Sequence, residues 1–138
     1  MNDLVVGYDS CALALGQDLI AGKWKLFILW YLGKGTKRFS ELYSYFRYTS
    51  RSLFIRKLHE LEDYGLIEKK VYPEVPVRVE YSLTDIGSKL IPVLSALIEW
   101  SNEYVESQKE DEISGISFIH NSLKDKYKSY RGVSILVR

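Results

Sequence analysis

The sequence predicts a mainly α-helical fold that carries one small antiparallel β-hairpin. Apolar residues recur at helical spacing in several segments before Gly65 and again after Thr84. Between them, residues 66–83 are rich in β-branched and aromatic side chains and are interrupted by Pro73 and Pro76. A chain of 138 residues with 46% hydrophobic and 27% charged residues has the size and composition of one folded domain. We expect this domain to comprise residues 1–112 and to be followed by a C-terminal extension at residues 113–138.

Two helices open the predicted fold. The first is expected over residues 11–21, and Gly22 provides its stop. The second is expected over residues 23–32 and ends at Gly33. Its residues are apolar on nearly every side, so this helix belongs at the centre of the core.

A helix-turn-helix is predicted next. After an extended link at residues 36–38, Ser40 has the side chain of an N-cap and should begin a short helix. A polar turn follows, and either Thr49 or Ser50 can cap a second helix that stops at Gly65. Two helices joined by a short polar turn are typical of DNA-binding units.

The second helix of this pair has two distinct faces. Phe54, Leu58 and Leu61 stand at i, i+4 and i+7 and form a single buried stripe. A helix fits the DNA major groove, where arginine can grip guanine through two hydrogen bonds and an apolar side chain can contact a thymine methyl group. The residues suited to this role lie opposite the buried stripe and are Arg51, Ser52, Ile55, Arg56 and His59.

The hairpin is expected to have strands at residues 66–72 and 77–83, with a tip stiffened by its two prolines. Its basic residues Lys69, Lys70 and Arg78 can contact phosphates or enter the minor groove.

Three of these assignments have alternatives that the residues leave open. Ile55 can be partly buried beneath the turn. Arg56 can pair with Glu60 one helical turn along the chain. Arg78 can pair with a glutamate of the hairpin instead of contacting DNA.

Thr84 is expected to cap a long helix that extends to about residue 107 and is kinked at Pro92. The apolar stripe of this helix is wider than one small domain needs to cover. In the tail, we expect a helix near residues 117–127 and a final strand at residues 133–137.

The net charge of +1 does not by itself indicate a nucleic-acid partner, but the charged residues are unevenly distributed along the chain. Residues 34–57 contain seven basic side chains and only one acid, Glu41, whereas residues 84–112 contain seven acids and two lysines. A local basic stripe is typical of a DNA-binding face, although surface cations can also cluster by chance.

Helices, a helix-turn-helix, a hairpin and a capping helix, in that order, form a winged helix. The sequence resembles the HxlR family of winged-helix transcription regulators, relatives of the MarR-type repressors. The matching segments are IAGKW at 20–24, RFSEL at 38–42, LHELE at 58–62, GLI at 65–67 and VYPEVPVRVEYSLT at 71–84. Family members often have proline where this chain has Ala12 and Arg51.

The resemblance implies a homodimeric regulator of transcription, most often a repressor, that binds double-stranded DNA. It implies a dimer joined through the first and last helices, and we assign that interface to Leu15, Leu90, Leu94, Leu97 and Ile98. The complete set of predicted DNA contacts is Arg38, Ser50, Arg51, Ser52, Ile55, Arg56, Lys57, Lys69, Lys70 and Arg78.

Cys11 is the only cysteine, and the resemblance suggests a role for it as a redox or electrophile sensor. At a helix N-terminus the dipole would favour its reactive thiolate form. Asp9 opposes this effect, and the alternative is a small, partly buried hydrophobic residue. An oxidant or small-molecule effector is therefore a hypothesis.

The residues do not suggest an enzyme, a metal site or a cofactor. The two histidines, His59 and His120, form no metal-spaced set with Cys11, and residues 33–36 depart from a phosphate-binding loop. With one cysteine, no signal sequence and no long apolar run, a cytoplasmic location and no membrane partner are expected. The alternative function is a winged helix that contacts only other proteins.

Overall fold

The computed structural model describes residues 3–22, 24–46 and 49–110, with side chains described at residues 9–22, 24–46 and 49–107. It confirms a mainly helical fold with a small antiparallel sheet. The elements, in chain order, are α1 (Asp3–Ile20), α2 (Lys25–Leu32), β1 (Lys37–Arg38), α3 (Phe39–Ser44), α4 (Arg51–Asp63), β2 (Ile67–Tyr72), β3 (Arg78–Leu83), α5 (Asp85–Ser88) and α6 (Ile91–Glu110).

The chain divides into a first compact unit that ends at Ile91 and a second that begins at Pro92. The predicted tail helix and final strand lie outside the described residues, so the domain boundary at residue 112 stays a prediction. No helix in the described part of the chain is long and apolar enough to cross a membrane.

The core of the first unit is built around α2. Ile28 and Leu29 have no exposed surface, which agrees with the prediction that this helix lies at the centre. Trp24 precedes the helix with a left-handed backbone (φ 80°), and its buried ring lies 5.7 Å from that of Phe46. Apolar residues of the following elements complete the core, namely Leu42, Phe46, Phe54, Leu58, Leu61, Leu66 and Ile67.

The first helix is longer than predicted. It begins at Asp3 instead of residue 11, because the segment before Cys11 contains no proline, and Gly7 costs a helix only about 1 kcal/mol. Cys11 therefore lies in the middle of α1. The expectation that it lies at a helix N-terminus is wrong.

The sheet has three strands in the order β1-β3-β2, one more than the predicted hairpin. The predicted extended link pairs with β3 through Lys37 opposite Tyr81 and Arg38 opposite Glu80. A two-residue strand is too short to produce an alternating pattern, so the sequence could indicate only its extended backbone.

The caps of the helix-turn-helix agree only in part with the predictions. The α3 helix begins at Phe39, one residue before the predicted cap Ser40, because β1 runs directly into it and Arg38 is its extended N-cap residue. Ser50 is confirmed as the cap of α4, since its hydroxyl accepts a hydrogen bond from the Leu53 amide at 3.2 Å. The helix stops as predicted at Gly65, whose φ of +71° is the left-handed C-terminal geometry that glycine adopts without strain.

The long helix predicted after Thr84 is two helices. Thr84 does cap the first, because its hydroxyl accepts a hydrogen bond from the Gly87 amide at 3.1 Å. The chain then leaves the helix at Lys89, and α6 starts at Ile91. Pro92 lies in the first turn of α6, where a missing amide hydrogen has no cost, so the expected kink is instead a break ahead of the proline.

Candidate nucleic-acid interface

The α4 helix presents the predicted face to solvent. Arg51, Ser52, Arg56 and His59 are exposed, whereas Phe54, Leu58 and Leu61 are buried. Because Ser50 fixes the start of the helix, Arg51 and Ser52 lie in its first turn. The N-terminal half of this face therefore carries two exposed arginines, Arg51 and Arg56, and an exposed hydroxyl.

A groove of about 540 Å³ separates α4 from the hairpin. Ile55 lines this groove and is half-buried. Its exposure is compatible both with contact to a thymine methyl group and with partial burial beneath the turn. The arginines and lysines on its walls are Arg38 from β1, Arg51 from α4, Lys69 from β2 and Arg78 from β3. The groove thus has cations contributed by four different elements.

Arg51 is oriented by an aromatic ring. Its guanidinium carbon lies 4.8 Å from the centre of the Phe39 ring at the start of α3, while the residue remains exposed. Such a cation–π contact restricts the arginine without neutralising its charge.

Glu60 is engaged by two lysines instead of by Arg56. The Lys25 ammonium lies 2.9 Å from its carboxylate, and that of Lys57 lies 3.4 Å from it. Hydrogen bonding to Lys25 lowers the pKa of Glu60 below its ordinary value, and the charge of Lys57 acts in the same direction. Arg56 is exposed and has no carboxylate partner among the described side chains.

Lys57, a predicted DNA contact, is turned away from this face. Its side chain is 15% exposed and pairs with Glu60 on the α2 side of the helix. Lys25 was not predicted from the sequence as part of this region. It is buried, pairs with Glu60, and its ammonium lies 5.0 Å from the centre of the Tyr64 ring. The available signal was a lone lysine in an otherwise apolar helix, because a buried charge requires a partner.

The two lysines of the hairpin face in opposite directions. Lys69 lies opposite Tyr81 in the β2–β3 register, and both line the groove beside α4. Lys70 lies opposite Glu80 and is on the other face of the strand pair, since side chains alternate along a strand. Both lysines are exposed.

Arg78 is held by residues of the hairpin. Its guanidinium carbon lies 3.9 Å from the centre of the Tyr72 ring, its Nη2 lies 3.2 Å from the Glu74 carboxylate, and its Nε lies 3.7 Å from that of Glu80. This is the glutamate pairing that the sequence left open. With Lys70, whose ammonium is 5.0 Å from the Tyr72 ring, these residues form what we call the wing cluster: Lys70, Tyr72, Glu74, Arg78 and Glu80.

The residues predicted for dimerisation differ in exposure. Leu15 on α1 is 60% exposed and Leu97 on α6 is 43% exposed, whereas Leu90 and Ile98 are half-buried and Leu94 is buried. Cys11 is an exposed free thiol. Among the described residues, no group of three or more histidine, cysteine or acidic side chains could hold a metal ion.

Comparison with known proteins gives consistent matches. The sequence profile described as HxlR-like helix-turn-helix matches residues 19–109. The uncharacterized HTH-type transcriptional regulator YkvN of Bacillus subtilis (strain 168) is 39% identical over 99 residues, which cover 72% of this chain and 84% of that protein.

Two solved structures agree with this match. A protein of Porphyromonas gingivalis W83 assigned to the MarR family of transcriptional regulators has a TM-score of 0.64 and 38% identity, covering 67% of this chain and 91% of that one. The redox regulator HypR in its oxidized form has a TM-score of 0.63 and 34% identity, covering 67% of this chain and 96% of that one.

Proposed function

Because this chain belongs to the HxlR-like helix-turn-helix family, whose relatives are transcriptional regulators, we propose that it binds double-stranded DNA sequence-specifically and represses transcription as a homodimer. The observation that carries the proposal is the exposed face of α4. Arg56 has no carboxylate partner among the described residues, and Ser52 is exposed on the same face.

In this proposal the N-terminal half of α4 enters the major groove. Arg51 and Arg56 bind guanine edges, Ser52 donates to or accepts from a base, and Ile55 contacts a thymine methyl group at the edge of the helix–hairpin groove. Phe39 holds Arg51 in a restricted position and so reduces the entropy that base recognition costs.

The sugar–phosphate backbone is bound by residues around this helix. Arg38 and Lys69 flank the groove and are exposed at its rim, Ser50 stands at the N-terminus of α4, and Lys70 lies on the outer face of the hairpin. The ion pairs of Lys57 and Arg78 with glutamates make both poorer phosphate ligands than the sequence suggested.

The homodimer is proposed from exposed apolar residues on two helices. Leu13 and Leu15 on α1 are 76% and 60% exposed, and Leu97 and Trp100 on α6 are 43% and 61% exposed. Burying them against a second copy would remove apolar surface from water and place two α4 helices on one DNA duplex. Recognition helices in such dimers lie about 34 Å apart, one turn of DNA.

The proposal is tested by selecting duplexes from a random library and titrating the best one with salt. DNA binding through phosphates predicts that log K falls by roughly 0.9 log units per log unit of salt for each phosphate neutralised. Failure to enrich any sequence, or an affinity that does not change with salt, would favour the protein-contact alternative.

A second candidate is redox control of this DNA binding, favoured by the exposed thiol of Cys11 and by the similarity to the redox regulator HypR. Diamide would accept two electrons and two protons from the Cys11 thiols of two protomers, which become joined by a disulfide. We expect diamide to lower operator affinity in the wild type and to leave Cys11→Ser unaffected. Equal responses of the two proteins would exclude Cys11 as the sensor.

A further inference from the structure

We propose that Arg78 is a positioning residue that braces the hairpin in its DNA-binding shape and does not itself contact DNA. This inference rests on the proposed function and assigns a different role to a residue that the sequence suggested as a phosphate or minor-groove ligand.

One guanidinium connects three parts of the hairpin. Arg78 begins β3, its Cζ lies 3.9 Å from the Tyr72 ring on β2, and its Nη2 lies 3.2 Å from the Glu74 carboxylate at the tip. Tyr72 and Arg78 are directly opposite each other in the strand register. These contacts therefore hold β2 and β3 together at the end of the hairpin that adjoins the tip loop.

The brace lies where other support for the hairpin ends. β1 pairs with β3 only at Glu80 and Tyr81, so from Val79 outward the hairpin consists of two strands. A two-stranded hairpin has marginal stability in water. The tip offers little apolar packing of its own, because Val75 is 101% exposed and Val77 is 63% exposed.

The charge balance also opposes a DNA contact by Arg78. The two cations of the wing cluster, Lys70 and Arg78, are matched by two carboxylates, Glu74 and Glu80. If Arg78 left the cluster for a phosphate, both carboxylates would lose their partner close to a polyanion, and the contact with Tyr72 would be lost. The Arg78 side chain is only 26% exposed in its present position.

Glu74→Gln tests the brace, because electrostatics and positioning predict opposite results. Removing an acid near DNA should strengthen binding if its charge alone matters. The brace instead predicts that affinity for the selected duplex falls about two- to fivefold, the scale expected for one partly exposed ion pair. Glu68→Gln is the matched control, since Glu68 is an exposed acid on β2 with no ion-pair partner among the described residues, and it should bind at least as tightly as the wild type. An unchanged or higher affinity of Glu74→Gln would overturn the proposal.

Arg78→Lys separates the charge of the side chain from its shape. Lysine keeps the positive charge that a phosphate contact needs but lacks the planar fork that lies over Tyr72 and reaches Glu74. We expect Arg78→Lys and Arg78→Met to lose similar affinity while both keep the wild-type salt slope. A lysine variant that binds like the wild type, together with a methionine variant whose salt slope is smaller by about 0.9, would show a phosphate contact and contradict the brace.

Amide hydrogen exchange of the protein without DNA tests the same idea independently. The brace predicts faster exchange at Lys70 and Tyr72, whose amides point towards β3, in Glu74→Gln and Arg78→Lys than in Glu68→Gln, with the exchange of α2 unchanged. Equal exchange in all three variants would overturn it. If the wild type binds no duplex, the proposed function fails, and the exchange rates still decide whether Arg78 braces the hairpin.

Discussion

At the scale of single residues, neighbouring cations on α4 have different surroundings. Arg56 is exposed without a described carboxylate partner, whereas Lys57 is 15% exposed and pairs with Glu60. Adjacent residues on a helix point about 100° apart, so a basic stretch in the sequence divides between a solvent face and an internal ion pair. Residue spacing alone therefore overestimates the number of exposed cations on α4.

Arg56→Ala should weaken binding to the selected duplex by roughly 1–3 kcal/mol and relax preference at one base pair, because a bidentate contact to guanine is lost. Binding to duplexes that vary at each position measures both effects. Lys57→Ala is the neighbouring control and should leave base preference unchanged. If Arg56→Ala retains the wild-type preference, the face assigned to DNA is wrong.

Glu60→Gln should reduce stability at pH 7 by about 1–3 kcal/mol, since it leaves the buried Lys25 ammonium without its anion. The folded pKa of Glu60 is lowered, so its ion pairs stabilise fully above the unfolded pKa of about 4.3 and progressively less as pH falls through the folded value. The difference in unfolding free energy between wild type and variant should therefore shrink on acidification. Urea unfolding at pH 7 and pH 3.5 measures it.

Asp63→Asn is the control for this experiment. Asp63 is an exposed acid at the end of the same helix, without an ion-pair partner among the described side chains. Its substitution should change stability little at either pH. A Glu60→Gln difference that is the same at both pH values would contradict the assigned ion pairs.

At the scale of elements, the close approach of α5 to Leu66, the residue before β2, depends on Gly87 having no side chain. A Cβ on Gly87 would lie directly against the carbonyl oxygen of Leu66, a backbone atom that cannot turn aside. Thr84 reinforces the same junction, because its hydroxyl donates to the Gly65 carbonyl at 2.6 Å and its amide donates to the Leu66 carbonyl at 3.1 Å.

Gly87→Ala should destabilise the fold by roughly 2–4 kcal/mol, since α5 must move away from β2. Gly16→Ala is the matched control: a Cβ there would meet no neighbouring atom within 4 Å, and alanine in a helix is favoured over glycine by about 0.5–1 kcal/mol. Thermal and urea unfolding should thus give opposite signs for the two variants. Equal effects would mean that the approach of α5 to Leu66 is not tight.

Elements with a strong local signal could be predicted from the sequence. Gly65 ends α4 because left-handed geometry follows that helix, and Ser50 begins it with a side-chain hydrogen bond. Elements that depend on distant partners could not be predicted in this way. β1 is a strand because it pairs with β3, and α3 follows it directly at Phe39, one residue before Ser40. Pro92 correctly indicated that the predicted long helix is interrupted. Because proline is tolerated in the first turn of a helix, the interruption lies before Pro92, and α6 starts at Ile91.

The candidate site shows the same division. The outward position of Arg51, Ser52 and Arg56 follows from the apolar spacing of their own helix, which the sequence contains. The partner that α2 supplies to Glu60, Lys25, and the contacts of Arg78 at the hairpin tip depend on other parts of the chain. No periodicity encodes these contacts, because they depend on how elements pack and on where strand registers place side chains.

At the scale of the whole molecule, dimerisation should depend on the exposed apolar residues of α1. Leu15→Asp should weaken self-association by about 100-fold or more, since burial of one leucine contributes roughly 1.5–3 kcal/mol and a homodimer carries the substitution in both protomers. Light scattering over a range of concentrations measures the effect. Ala14→Asp, an equally charged substitution at an exposed position about 100° around α1 from both Leu13 and Leu15, should self-associate like the wild type. Dimers of equal stability would place the interface elsewhere.

The uninterrupted passage from β1 into α3 has a practical consequence for protein engineering. Arg38 is at once the last residue of a strand and the cap of the next helix, and its strand partner Glu80 belongs to the hairpin. Transplanting α4 alone into another scaffold would leave behind both the strand that anchors the hairpin and the ring that steadies Arg51. A portable module that keeps the candidate interface and its core would therefore have to include residues 24–83 in one piece. Inserting even one residue between Arg38 and Phe39 should uncouple the sheet from α3.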